Sequence, residues 1–362
     1  MTASVTTFVL PGGVDDVSRP SGGNLYDRRM SEILSSWVNE VSVPGSWPLP
    51  DRAARAELAM TLAALPDGSV VLVDGLVACG VPEVIVPAAK RLRLAVLLHL
   101  PLGDETGLPA TLATDLDARE RETLQAVTAV VATSPWAARR LISHHGLDPN
   151  RVHVAPPGTD PAPLAHGTDG YSRLLCVASV TPRKGQDVLV EALAGVADLP
   201  WYCECIGAVS SHPGYVERLL RLISLRGLSG RITLAGPLPP TDLAPRYSAA
   251  DLVVLPSRAE TYGMAVTEAL ARGVPVLASA AGALPDTLGK GPDGGVPGIL
   301  VPPGDAAALS NALRRFLTEA RLRDRLRSSA RDRRRLLEDW DMAARRLAGV
   351  LTRLWREPSC AV

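Results

Sequence analysis

Short, nearly continuous aliphatic runs, separated by helix-like spacers, recur along the first half of the chain. The runs span residues 70–74, 94–98 and 129–132, and a first strand is expected over residues 6–10. Such runs are typical of parallel strands, because helices cover both faces of a parallel sheet and leave neither face to water. Their alternation with helical patterns predicts βαβ units and therefore an α/β fold.

The second half repeats this pattern in residues 174–178, 202–206, 232–235, 252–255 and 276–278. A chain of 362 residues also exceeds the size at which single cores stop growing, roughly 250 to 300 residues. A proline- and glycine-rich stretch over residues 155–170 separates the halves and sustains neither a helix nor a central strand. We therefore expect two Rossmann-like domains with parallel sheets, the second beginning with a strand at Tyr171.

The expected boundaries are an N-terminal domain over residues 1–160, a linker over 161–170 and a C-terminal domain over 171–335. A last helix within residues 336–362 is expected to pack back on the N-terminal domain, docked by Trp340 and Trp355. Just before it, residues 314–335 hold ten arginines against three acidic residues. This basic stretch is either a solvated helix face or a surface that touches anionic lipid, and both interpretations stay open.

Charge and cysteine usage exclude several classes of protein. Lysine plus arginine (38) equals aspartate plus glutamate (38), so no net field attracts a nucleic acid. Five cysteines without dense spacing do not form a disulfide framework, and we expect a cytoplasmic protein. Cys203 and Cys205 lie on one face of a predicted strand, which favours core packing over a metal site. No apolar run approaches the ~18 residues of a membrane span, and a signal sequence is not recognisable.

Two glutamates eight residues apart flank a predicted helix start after the run 252–255. Glu260 lies in the preceding loop, where a carboxylate can grip sugar hydroxyls. Gly263 permits close backbone approach at the helix N-terminus, which favours phosphate. Glu268 lies a little over two helical turns farther on, on broadly the same side, and can reach a ribose diol. The segment thus predicts a site that holds both ends of a nucleotide sugar.

A basic pair, Arg183 and Lys184, lies where the run 174–178 leads into the next helical pattern. Lys184 is one of three lysines among 38 basic residues, so a general preference for lysine does not explain it. A departing diphosphate needs positive charge aimed at the oxygen that gains charge, and no Asp-x-Asp pair is placed to hold a metal. We therefore expect diphosphate binding by these two cations, without a metal ion or a cofactor.

The segment from Glu260 through residue 275 resembles the Glu-(seven residues)-Glu motif of the retaining GT-B glycosyltransferases, family-four (glycosyl transferases group 1) type. The resemblance implies that Glu260 contacts the donor sugar and Glu268 the ribose, and that relatives share the Arg183–Lys184 pair. Segments 281–287 and 298–305 are similar to two later loops of the family, although Asp286 stands where many relatives have glutamate. The resemblance further implies that the backbone of four residues follows the diphosphate and sugar: Thr261, Tyr262, Gly263 and Met264.

In the first half, a predicted loop containing Gly22, Gly23 and Asn24 precedes a helical pattern. The family has a similar loop, so these residues become candidates for the wall of the donor site. His99 follows the run 94–98, at the carboxyl edge where α/β sheets bind ligands. The resemblance places a histidine here, near the donor sugar. Asp104 and Glu105 are further candidates for orienting an acceptor hydroxyl.

Together, the motifs and the resemblance predict a GT-B fold of two facing Rossmann-like domains with the reaction in the cleft between them. The expected reaction is metal-independent transfer of a sugar, with retention, from a UDP- or GDP-sugar to a hydroxyl of a small molecule, glycan or lipid-linked acceptor. Alternatives on the same fold are a nucleotide-sugar epimerase, a phosphorylase and a non-catalytic sugar-nucleotide-binding protein. The expected location is cytoplasmic, with peripheral contact at the inner membrane face as an option.

Overall fold

A computed structural model describes residues 5–105, 107–169 and 171–356. Gly170, the last residue of the predicted linker, and Cys360 lie outside the described residues. The chain divides into two compact units. Unit 1 contains Met1–Asp15, Gly23–Gly158 and Trp340–Val362, and unit 2 contains Asp16–Gly22 and Thr159–Asp339.

Unit 1 is built on a parallel six-stranded sheet in the order β2-β1-β3-β4-β5-β6. Its strands are β1 (Thr6–Pro11), β2 (Val38–Val43), β3 (Val70–Asp74), β4 (Arg93–Leu98), β5 (Ala129–Ala132) and β6 (Val152–Val154). Its first six helices are α1 (Gly22–Ile33), α2 (Arg52–Ala63), α3 (Gly75–Cys79), α4 (Pro82–Ala89), α5 (Ala110–Ala126) and α6 (Pro135–His145).

Unit 2 repeats the architecture with a parallel sheet in the order β12-β11-β10-β7-β8-β9. Its strands are β7 (Arg173–Val177), β8 (Tyr202–Ile206), β9 (Ile232–Gly236), β10 (Leu252–Leu255), β11 (Val276–Ser279) and β12 (Gly298–Val301). Its helices are α7 (Gln186–Ala194), α8 (Pro213–Leu225), α9 (Pro240–Ser248), α10 (Met264–Ala271), α11 (Leu284–Leu288), α12 (Ala306–Thr318) and α13 (Ala320–Arg333).

The last helix, α14 (Trp340–Arg356), belongs to unit 1. Trp340 is buried with its ring edge-on to Tyr26, and Trp355 Nε1 donates to Thr6 Oγ1 at 3.1 Å. Arg93 Nη1 donates to the carbonyls of Leu354 and Trp355 at 3.2 Å. Helix α14 therefore packs on β1 and β4 of this unit.

Both faces of the unit 2 sheet carry apolar clusters, as a parallel sheet covered by helices requires. Cys203 and Cys205 point into the same cluster, and both are buried free thiols. The prediction that they pack in the core is correct. Across the residues that the structure describes, no helix combines the length and the apolar composition needed to cross a bilayer.

Three details of the sequence prediction are wrong. The first strand of unit 2 begins at Arg173, two residues after Tyr171. Gly22, Gly23 and Asn24 are the first residues of α1 and not a loop before it. The segment 298–305 begins with strand β12. The unit boundary also falls between Gly158 and Thr159, so the segment predicted as the linker is counted with unit 2 up to its last described residue.

Candidate active site

The centre of the candidate site in unit 2 is the carboxylate of Glu260, which is 5% exposed. Lys184 Nζ donates to its Oε1 at 2.5 Å, and Arg183 Nη1 lies 3.8 Å from its Oε2. Ser257 Oγ donates to Oε1 at 2.8 Å. The structure thus brings together Arg183, Lys184 and Glu260, although 76 residues separate Lys184 from Glu260 in the sequence.

Two cations on one carboxylate decide its charge state. Burial alone favours the neutral acid, but Lys184, Arg183 and the Ser257 hydroxyl together lower the pKa of Glu260 below its ordinary value. Glu260 is therefore an anion at neutral pH and accepts hydrogen bonds. The cluster as a whole keeps an excess of one positive charge, which suits an anionic ligand.

Two glycines bring the loops of this cluster into close contact. Gly185 has φ +68°, and a Cβ on it would lie 2.2 Å from the Pro256 carbonyl oxygen. Gly282 has φ +58°, and a Cβ on it would lie 2.0 Å from the Glu260 carbonyl oxygen, which also accepts from Ala283 N. A side chain at either position would clash in a conformation that L residues rarely adopt. These glycines fix the backbone on both sides of Glu260.

A second ion pair closes the same loops. Arg258 donates to both carboxylate oxygens of Asp187, at 2.9 and 2.7 Å, while its backbone N–H donates to the Arg183 carbonyl at 2.7 Å. Sequence reasoning missed four residues that hold the site: Ser257, Arg258, Asp187 and Gly282. Ser257 was detectable, because it precedes Glu260 by three residues in the same motif, whereas the Arg258–Asp187 pair joins distant segments.

The helix after the glutamate loop begins as the sequence predicts. Gly263 has φ +91° and precedes α10, and a Cβ on it would lie 2.5 Å from Leu284 Cδ2. No side chain caps this helix start, so its first backbone N–H groups are available to an anion. Thr261, Tyr262 and Met264 surround this start, and the Tyr262 carbonyl accepts from Thr287 Oγ1 at 2.6 Å.

Glu268 lies on α10 and accepts from Tyr247 Oη at 2.7 Å. Burial raises the pKa of this carboxyl, and the Tyr247 hydroxyl and Arg272 only partly oppose that rise. Its pKa thus shifts in the direction opposite to that of Glu260. Asp286, in contrast, lies exposed on the short helix α11.

In unit 1 the sequence prediction found one member of a three-residue cluster. His99, directly after β4, has its Nε2 2.8 Å from Asp27 Oδ1 and 3.5 Å from Asp74 Oδ2. Both aspartates are buried, and the histidine side chain is 19% exposed. Asp74 ends β3 and also caps α3 by accepting from Leu76 N. The position of Asp74 at the end of a predicted strand could have marked it as a candidate site residue. Asp27 lies within a helix, and no sequence pattern marked it.

The carboxylates of Asp27 and Asp74 favour the protonated form of His99. Burial alone lowers the pKa of a histidine, but Asp27 and Asp74 outweigh burial and raise the pKa of His99 to about 9. Burial and the neighbouring Asp27 raise the pKa of Asp74 far above its ordinary value. Both shifts favour the protonated forms of His99 and Asp74 in the folded protein. Ligand atoms of Asp27, Asp74 and His99 lie within 4.8 Å of one another, so a cation can replace these protons.

The predicted glycine segment lies at this cluster in part. A Cβ on Gly23 would lie 3.1 Å from His99 Cδ2, so the glycine leaves room for the ring. Asn24 follows Gly23 in the first turn of α1, while Gly22 is counted with unit 2. Asp104 accepts from Arg140 Nη2 at 3.0 Å, and Glu105 is partly buried after it.

Family models match most of both units. Residues 165–333 match the model of "Glycosyl transferases group 1", and residues 36–163 match that of "Glycosyltransferase Family 4". All the predicted residues of unit 2 from Arg183 to Glu268 lie within the first match.

Solved structures show the same fold at low sequence identity. Sucrose-phosphate synthase from Thermosynechococcus elongatus superposes with a TM-score of 0.77 at 21% identity, over 97% of this chain and 99% of that one. HepE from Anabaena, in complex with UDP-glucose, superposes with a TM-score of 0.76 at 19% identity, over 96% of this chain and 99% of that one.

Curated relatives are more similar in sequence but longer. D-inositol 3-phosphate glycosyltransferase 1 from Catenulispora acidiphila is 31% identical over an aligned length of 269 residues, and the match covers 69% of this chain and 62% of that protein. D-inositol 3-phosphate glycosyltransferase from Mycobacterium bovis is 32% identical over an aligned length of 211 residues, and the match covers 55% of this chain and 43% of that protein. The matched region thus spans less than two thirds of the length of either relative.

The two sheets, their order and their structural neighbours define the GT-B class of fold. Within that class, the chain belongs to the group 1 glycosyltransferases.

Proposed function

We propose that this chain transfers a glycosyl group from a UDP- or GDP-sugar to a hydroxyl acceptor, with retention of configuration and without a metal ion at the donor site. The observation that carries the proposal is the Arg183–Lys184 pair on the buried Glu260 carboxylate, next to the uncapped start of α10. Cations and open N–H groups at one sheet edge are a general arrangement for a diphosphate.

In the proposed reaction, the bond from the sugar C1 to the diphosphate oxygen breaks while a bond to the acceptor oxygen forms on the same face. The acceptor proton passes to the departing phosphate oxygen. Lys184 and Arg183 offset the negative charge that develops on this leaving group. Glu260, held as an anion, accepts hydrogen bonds from sugar hydroxyls, and Glu268 accepts them from the ribose.

Roles for the remaining predicted residues stay part of the proposal. The backbone along Thr261, Tyr262, Gly263 and Met264 follows the diphosphate and sugar. His99, with its pKa raised to about 9, donates a hydrogen bond to a sugar oxygen. Gly22, Gly23 and Asn24 leave space at the start of α1 for the donor. The relatives' names support an alcohol acceptor, and the HepE complex supports a UDP-sugar donor.

A cytoplasmic location is also proposed. The described cysteines are buried free thiols, which suits a reducing compartment. Membrane contact by the arginine-rich segment has less support, because many of its guanidinium groups have protein partners. Examples are Arg314 with Asp198, Arg323 with the Phe316 carbonyl and Arg327 with Asp251.

The test combines the chain with UDP- and GDP-sugars and a set of polyol, saccharide, lipid-linked and inositol phosphate acceptors, with EDTA present. The expected result is acceptor-dependent release of UDP or GDP, and a product whose anomeric proton signal has the donor's configuration. Isomerisation of donor without acceptor supports an epimerase, and dependence on inorganic phosphate supports a phosphorylase. Binding of the donor without turnover of any kind overturns catalysis.

A further inference from the structure

A second cluster of ligand-type side chains lies in unit 1 between α5 and α6. Asp117 lies on α5, and His144 and His145 are the last two residues of α6. One ligand atom from each lies within 4.8 Å of the others. Because α6 follows β5 and runs back along the sheet, its last turn lies towards the amino edge. The cluster also borders the segment that follows β4, since a Cβ on Gly103 would lie 3.3 Å from Asp117 Cβ. It shares no residue with the cluster of Asp27, Asp74 and His99.

His145 is fixed by a buried carboxylate. Its Nε2 lies 2.8 Å from Glu120 Oε1, and the side chains are 0% and 1% exposed. The other carboxylate oxygen, Glu120 Oε2, accepts from Leu102 N at 2.9 Å. Glu120 is thus held from two sides, and it accepts the Nε2 proton of His145.

This hydrogen bond leaves Nδ1 of His145 with a lone pair. Nδ1 is buried and has no hydrogen-bond partner among the described residues. A buried acceptor without a partner is destabilising, and a bound cation would satisfy this atom. A carboxylate behind a histidine is also the usual support of a metal-binding imidazole, because it fixes the tautomer and raises the basicity of the ligating nitrogen.

The other two side chains give access from solvent. His144 Nε2 lies 2.5 Å from Asp117 Oδ1, and the side chains are 34% and 31% exposed. The His144 and His145 rings meet edge to face, with centroids 4.7 Å apart. A cation at the C-terminal end of α6 also interacts favourably with the helix dipole.

We propose that Asp117, His144 and His145 bind one divalent transition-metal ion, with water completing the coordination. Two imidazoles and a carboxylate form a ligand set that suits Zn²⁺, and Glu120 supports it from behind. The ion replaces the proton shared by His144 and Asp117 and ties the end of α6 to the middle of α5. It takes no part in the proposed glycosyl transfer.

The experiment titrates metal-free full-length chain with Zn²⁺ in competition with a chromophoric chelator. Wild type is expected to bind one ion, and Asp117→Asn and His144→Asn are each expected to weaken binding at least tenfold. His166→Asn is the control, because His166 is an exposed histidine of unit 2 bonded to Ser248. Because the readout is metal binding, the result does not depend on the proposed activity.

Asp117 and His144 are the positions to substitute, because both are partly exposed. His145→Ala is not used, because it removes the histidine partner of the buried Glu120 and destabilises unit 1 by itself. At a hundredfold excess over its dissociation constant, Zn²⁺ is expected to raise the wild-type Tm by roughly 5–10 °C. Co²⁺ should give visible bands without thiolate charge transfer. Absence of binding, or binding that both variants retain, overturns the proposal, and thiolate bands would assign the ion to cysteine.

Discussion

The carboxyl edges of the two sheets carry charge clusters of opposite composition. In unit 1 one histidine lies between the carboxyl groups of Asp27 and Asp74, and in unit 2 two cations share the carboxylate of Glu260. The first cluster holds extra protons, and the second holds extra fixed positive charge. The same fold and the same edge thus support a site whose histidine has its pKa raised to about 9 and a site suited to an anion.

The largest expected effect is that of Lys184→Ala on the unit 2 cluster. Loss of the 2.5 Å contact to Glu260 removes charge aimed at the leaving group, and kcat/KM is expected to fall about 10²- to 10³-fold. Steady-state release of UDP or GDP measures the change.

The same substitution leaves a buried carboxylate with one fewer cation and is expected to cost about 3 kcal/mol of stability. The double variant Lys184→Ala with Glu260→Gln is the control. It should recover much of the stability in urea denaturation but none of the activity. Wild-type turnover in the double variant would show that Lys184 and Glu260 take no part in the reaction.

Substitutions at Gly282 and Gly304 test whether the close backbone contact at Glu260 contributes to stability and donor binding. Gly282→Ala places a Cβ 2.0 Å from the Glu260 carbonyl oxygen at φ +58°, and we expect at least about 3 kcal/mol of destabilisation with a raised donor KM. Gly304→Ala has a similar φ of +77° but nothing within 4 Å. That control should lose about 1–2 kcal/mol from backbone strain alone. Equal losses in the two variants would show that the close approach carries no cost.

The unit 1 cluster predicts a pH dependence of stability. The pKa of His99 rises from 6.5 to about 9, so its stabilisation is complete below pH 6.5 and is lost as the pH rises through about 9. The raised pKa of Asp74 acts in the same direction, because the folded state again binds more protons than the unfolded chain. The free energy of unfolding is expected to fall by about 1.4 kcal/mol per pH unit for each extra proton.

Urea denaturation between pH 6 and pH 9 measures this slope. Asp74→Asn should flatten it while keeping the cap on α3, since asparagine also caps helices. Glu260 in unit 2 has a lowered pKa, so its stabilisation is present above the ordinary glutamate pKa and is lost only in acid. A slope unchanged in Asp74→Asn would contradict the proton-sharing arrangement.

The smallest effects compare one tyrosine from each unit. Tyr247→Phe removes the hydrogen bond to Glu268 at 2.7 Å, and the donor KM is expected to rise about fivefold, corresponding to roughly 1 kcal/mol. Tyr26→Phe removes a hydrogen bond of 3.0 Å to the Ala155 carbonyl. It is expected to lower the free energy of unfolding by roughly 1 kcal/mol and to leave the donor KM unchanged. A raised donor KM in Tyr26→Phe with an unchanged donor KM in Tyr247→Phe would contradict the assignment of donor binding to unit 2.

The central strands were predictable because burial on both faces makes them aliphatic throughout. Runs at 70–74, 129–132, 202–206 and 252–255 coincide with β3, β5, β8 and β10. The strands that were missed, β2, β6 and β12, all lie at sheet edges. β2 is buried only at its two ends, the four residues between them are exposed or partly exposed, and its Asn, Glu and Ser break the aliphatic run. Edge strands satisfy only part of the pattern by which parallel strands are recognised.

Some residues of the candidate site were predictable because they lie in one sequence segment, whereas others are brought together only by the fold. Glu260, Gly263 and Glu268 share one segment, and the sequence showed their spacing. The contacts of Lys184 with Glu260 and of Arg258 with Asp187 join residues 76 and 71 positions apart, so no local pattern specifies them. Asp27 was missed for the same reason, since its partner His99 lies 72 residues away.

The place of α14 has a consequence for the order in which the molecule is made. Thr6 and Arg93 are bonded to Trp355 and its neighbour, and the segment Thr159–Asp339 of unit 2 is translated between these partners. Domains usually fold in the order in which they leave the ribosome. Here the continuous segment Thr159–Asp339 of unit 2 is complete before α14 is made, and unit 1 must wait for that helix.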